Sequence, residues 1–194
     1  MSGPARSVRR SYDLARMALK GLNVTVKLPF LEIGGDWEPN QAEQKAAWEM
    51  YVELITRISV IDLGPDEGLL REALSSLYSL FATTRDILRR YGPSVAKPSR
   101  RAELSFGYIA VVVLNRVLRP LLATWHPRLE EYEATRPDKT SKAEHERNWP
   151  QATELRAALT STQTMLLEYA SLLGEVSGAP SLLYAVKTGG DDHG

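Results

Sequence analysis

Asn115, Arg116, Arg119, Trp125 and His126 fall within or just after "YIAVVVLNRVLRPLLATW", residues 108–125, the most apolar run of the chain. A guanidinium offers parallel N–H donors to a carboxylate or phosphate, and an aromatic wall suits a flat organic body. Asn115 falls on the apolar stripe of this run, where a buried amide is costly unless hydrogen-bonded and can fix helix register. Pro120 removes the bond to the Arg116 carbonyl, so a kink with a free acceptor is expected there. The group therefore reads as a candidate contact site for a ligand or partner, with Arg116 or Arg119 pairing an anion and Trp125 lining the wall. Trp37, on an apolar arm earlier in the chain, is a further candidate contact.

The same run raises the question of a membrane. A spanning helix needs about 20 apolar residues, and an arginine at its centre costs roughly 2.5 to 3.5 kcal/mol on insertion scales. Arg116 and Arg119 sit mid-run, with Glu103 upstream and His126 downstream, so a buried helix is expected and no transmembrane segment.

Other chemistries find no support. A di-iron bundle needs Glu-x-x-His pairs, but Ala123 and Lys142 stand three residues before His126 and His145. The glycines at 34–35 and 189–190 lack the spacing and following Lys-Ser/Thr of a phosphate loop. There is no Gly-x-Ser-x-Gly elbow and no cysteine, which removes disulfides, thiolate ligands and a Cys nucleophile. No catalytic residue, cofactor or metal is expected.

Five segments carry apolar residues at 3–4 spacing, the signature of one helical face. They predict helices near 5–22, 41–61, 65–91, 99–126 and 149–177. Trp48, Tyr51 and Ile55 mark the second stripe, Leu70 through Tyr91 the third, and Leu104, Tyr108, Val111, Asn115, Leu118, Leu122 and Trp125 the fourth. Asn40 with Glu43, and Asn148 with Gln151, resemble N-terminal caps with a reciprocal partner. Ser141 with Glu144 suggests one further turn inside a polar loop, and Pro127 either ends the fourth helix or starts a short continuation. In "NVTVKLPFLEIGGDW" the alternation of Val24, Val26 and Leu28 with polar residues is strand periodicity, and Gly34-Gly35-Asp36 suggests a turn. The expected fold is mainly all-α, a four- or five-helix bundle in one domain, with a short extended arm or β-hairpin near residues 23–37 and a disordered tail at 188–194.

With 24 basic and 24 acidic side chains the net charge is zero, which gives no global pull toward nucleic acid. Nucleic-acid binding is not expected, although Arg85, Arg89 and Arg90 begin a local basic cluster and acidic residues concentrate between Glu32 and Glu72. The N-terminus lacks the apolar core of a secretory signal, so a cytoplasmic location is expected. More apolar faces than a minimal bundle consumes, without a catalytic set, point to a non-catalytic interaction module with a protein partner or a second copy: an adaptor, regulator or assembly subunit. The alternative is a ligand-sensing domain binding a small anionic or aromatic molecule near Pro120.

Overall fold

The computed structural model describes residues 24–28, 31, 33–57, 68–97 and 104–183. The helix expected at 5–22 and the tail at 188–194 lie outside the described residues. So do the end of the second expected helix and the beginnings of the third and fourth.

The alternating segment forms strand β1 (Val24–Leu28), paired antiparallel with β2 (Ile33–Trp37) so that Val24 faces Trp37 and Leu28 faces Ile33. Val24, Val26 and Leu28 point into the core, as do Leu31 and Trp37, while Thr25 and Lys27 are exposed. The expected turn at Gly34-Gly35-Asp36 is corrected: these residues belong to β2, opposite Lys27, Val26 and Thr25. Gly35 has φ 151°, which side-chain-bearing residues rarely adopt, so the glycine serves the strand backbone instead of reversing it.

Helix α1 (Gln41–Ile55) starts with the expected box: the Asn40 side chain accepts from Ala42 N and Glu43 N, and Glu43 reaches back to Asn40 N. Its inward face differs from expectation. Tyr51 is buried as expected, but Trp48 is 42% exposed, and Glu43, Ala46, Ala47, Met50 and Leu54 complete the buried face. Small residues permit close helix approach, and the packing is close: a Cβ on Gly174 of the last helix would lie 3.1 Å from Tyr51 Cζ.

Helix α2 (Leu70–Tyr91) buries Leu70, Leu74, Leu77 and Thr84 as the periodicity requires, with Leu80 and Ile87 beside them. It ends at Gly92, φ 61°, in a 3-10 turn over Gly92–Val95. Among the described residues no local side chain caps its start. Glu146, 76 residues further on, receives Leu70 N at 2.6 Å and Arg71 N at 3.4 Å.

Helix α3 (Phe106–Glu133) does not end at residue 126; it continues through Pro127. The carbonyl that Pro127 leaves unpaired belongs to Ala123, an exposed residue on the side where water can serve it. Within α3, Leu114–Leu118 form a π turn, closed in part by Arg119 N–H to the Leu114 carbonyl. This corrects the expected stripe. Tyr108, Val111 and Asn115 are exposed, whereas Phe106, Ile109, Ala110 and Val113 before the turn and Leu118, Leu122, Trp125 and Leu129 after it are buried. A π turn takes up one residue more than an α turn, so the inward face shifts by about one position across it. By length and composition α3 is apolar enough to cross a bilayer, with mean hydropathy 1.5 over its most apolar stretch, and half of that stretch is buried inside the protein.

Ser141 caps the short helix α4 (Lys142–Arg147) through Glu144 N, as its spacing suggests. Asn148 is a second correction: it closes α4, and α5 (Ala152–Ser177) begins after Gln151 without a side-chain cap. Gly178, φ 76°, ends α5. Buried apolar residues of the hairpin and of α1, α2, α3 and α5 form one cluster among the described residues.

Three of these elements meet at one carboxylate. Glu43 is 1% exposed; its Oε1 accepts from Trp37 Nε1 at 3.1 Å and Phe106 N at 3.0 Å, and its Oε2 accepts from Asn40 N at 2.9 Å. Burial raises its pKa, and the three donors oppose that rise. An unpaired buried donor costs roughly 1 to 3 kcal/mol, so Glu43→Ala is expected to lose about 3 kcal/mol or more in urea unfolding. Glu43→Gln, which keeps an acceptor at Oε1, should lose distinctly less; equal losses would assign the effect to volume instead of hydrogen bonding.

Candidate functional site

The C-terminal half of α3 lies along α2, and between them runs an open groove of about 640 Å³. From α2 come Tyr78, Phe81 and Arg85, at the spacing of one helical face. From α3 come Arg119, Leu122, Ala123, His126, Pro127 and Glu130, again one face.

Arg119 is held in two ways. Its backbone N–H closes the π turn, and its Nε donates to Asn115 Oδ1 at 2.9 Å, while Asn115 Nδ2 donates to the Val111 carbonyl at 3.0 Å. The guanidinium lies over the Phe81 ring, 5.5 Å from its centroid, within the range where a cation is attracted to an aromatic face. Arg85, across the groove, makes no ion pair with a carboxylate among the described residues.

His126 stands on the groove wall. Its Nδ1 lies 3.0 Å from Arg71 Nη1. A guanidinium only donates, so Nδ1 accepts and the ring proton resides on Nε2. Nε2 is buried and has no hydrogen-bond partner among the described residues, and the ring meets Tyr78 edge to face at 5.8 Å. Arg71 is fixed in turn by Glu133, with contacts of 2.7 to 3.1 Å. Burial foremost, and then the Arg71 charge, lower the His126 pKa, while Glu130 and Glu133 pull it the other way. The groove thus carries two guanidinium groups, one carboxylate and a neutral imidazole over an apolar floor.

The candidate contacts divide. Arg119 and His126 meet in the groove, with Asn115 beside it and not on the core face. Arg116 turns to the hairpin and donates from Nη1 to the Leu31 carbonyl at 3.2 Å. Trp125 is 5% exposed and packs edge to face on Trp149, with Arg128 over its ring, so it does not wall the groove. Trp37 is buried against Glu43. Tyr78, Phe81 and Arg85 join Arg119 and His126 from α2; their i, i+3, i+7 spacing places them on one face, but nothing in the sequence ties that face to Arg119. Among the described residues no cluster of three or more His, Asp or Glu side chains is placed to hold a metal. Comparison with protein-family models, characterised proteins and solved structures finds no match to this chain.

Because the folded state holds His126 below its ordinary value of 6.5, the unfolded chain takes up this proton first. The corresponding stability is complete above pH 6.5 and is lost as pH falls through the folded value. Thermal melts across this range should therefore show an acid loss in the wild type that His126→Gln lacks. A wild-type-to-variant difference independent of pH would contradict the assignment.

Proposed function

We propose that this chain is a non-catalytic interaction module that receives a segment of a partner protein in the groove between α2 and α3. The observation carrying the reading is the pair Arg85 and Arg119, which border an apolar floor with no carboxylate partner among the described residues. Tyr78, 63% exposed, adds aromatic surface at the rim, and aromatic and arginine side chains are the usual anchors of protein contacts. Small-molecule sites bury most of their ligand, whereas this groove is open to solvent and suits a segment of a partner chain. Its charge favours a segment carrying an acidic residue beside an apolar one. In this reading α3 is a core helix, since Arg116 and Arg119 interrupt its apolar run, and the protein works in the cytoplasm as an adaptor, regulator or assembly subunit.

Ala123→Glu puts a carboxylate in the groove, and Arg85→Gln removes one of its charges; Thr164→Glu, on the exposed side of α5, is the control. Quantitative affinity capture from the native host should give a partner that the wild type and T164E retain. A123E and R85Q should lose it by about tenfold or more, with helicity unchanged. Capture indifferent to the groove variants, or a strict monomer without a partner, would overturn the proposal.

A further inference from the structure

We infer that Arg119 is the anion-recognising residue of the groove, that Asn115 is its positioning residue, and that the ligand presents a side-chain carboxylate end-on to the two Nη atoms. The inference rests on the proposed docking of a partner segment and specifies its chemistry.

The argument begins with the five N–H donors of a guanidinium. Asn115 Oδ1 occupies the Nε–H of Arg119, which removes the side-on approach through Nε and Nη. The four Nη hydrogens have no acceptor among the described residues and lie beside the Phe81 ring at the groove. A planar carboxylate can take two of them in parallel. Two arginines and one glutamate line the groove, beside a neutral imidazole whose Nε2 is buried, so the lining carries one excess positive charge. One excess charge suits a monoanion, and Glu130 would oppose a phosphate dianion. An open groove admits a chain that continues in both directions, which makes an Asp or Glu side chain the source in preference to a chain terminus. Leu122, Ala123 and Tyr78 then receive the neighbouring apolar or aromatic side chain.

Three dipeptides test this on the full ¹⁵N-labelled chain: acetyl-Glu-Phe-amide, acetyl-Gln-Phe-amide and acetyl-Gln-Phe with a free carboxylate. NMR titration would follow the Arg119 Nε–H and the amides of residues 119–127. The first peptide is expected to bind about fivefold or more tightly than the second. Arg119→Gln should abolish that preference, and Asn115→Leu should reduce it while shifting the Arg119 Nε–H resonance in the free protein. Thermal melts of both variants establish that they fold, and R85Q, which leaves Asn115 and Arg119 in place, should keep part of the preference.

Tighter binding of the terminal carboxylate, equal binding of all three peptides, or a preference that survives R119Q would overturn the inference. So would absence of binding up to the solubility limit. If partner capture still depended on A123E in any of those cases, the docking groove would stand and only its proposed carboxylate chemistry would fall.

Discussion

A carboxylate removed from water stays in place only if donors replace the hydration it has lost, and Glu43 is supplied with three from three separate parts of the chain. Trp37 closes the hairpin onto it, Asn40 starts α1 on it, and the first residue of α3 is tied to it through Phe106 N–H. Asn40 adds a fourth link, because its Nδ2 donates to the Ser94 carbonyl at the end of α2. Displacing the hairpin or the start of α1 or α3 leaves this buried carboxylate short of a donor. The constraint is stronger than apolar packing alone because hydrogen bonds fix direction as well as proximity.

The groove inherits its geometry from that arrangement. Glu43 and Asn40 set the start of α3 and the end of α2, while Glu146 holds the start of α2. Arg71 spans the two helices to Glu133 and His126, so their separation is set beside the groove as well as at its distant ends. The π turn reconciles the two halves of α3: both bury apolar faces in the same cluster, yet Asn115 remains outside to hold Arg119.

Much of the fold was legible because helix and strand periods are local. The capping box at Asn40 and Glu43, the alternation at Val24 to Leu28, the turn begun at Ser141 and the stop at Gly178 all follow from neighbours within a few residues. What failed also has local causes. A fixed helical period carried backward from Leu118 crosses an extra residue and assigns Tyr108, Val111 and Asn115 to the wrong side. Trp48 shares a 3–4 spacing with Tyr51 and Ile55, yet Trp48 is exposed and Ala46 and Ala47 join Tyr51 on the buried face. The groove was half visible: Arg119 and His126 share one helix, but Tyr78, Phe81 and Arg85 come from another, and no spacing within one helix reveals which face of a distant one will lie opposite.

The remote cap on α2 also bears on the order of assembly. The first amides of a helix have no acceptor within it and must find one elsewhere. Leu70 and Arg71 must wait for Glu146, whose carboxylate enters the chain only after all of α2 and α3 have been made. The body of α2 can coil as soon as it is synthesised, but its first turn is secured only when α4 docks. Securing that start closes a long-range loop, whose entropy cost rises only slowly with its length, and ties the beginning of α2 to α4.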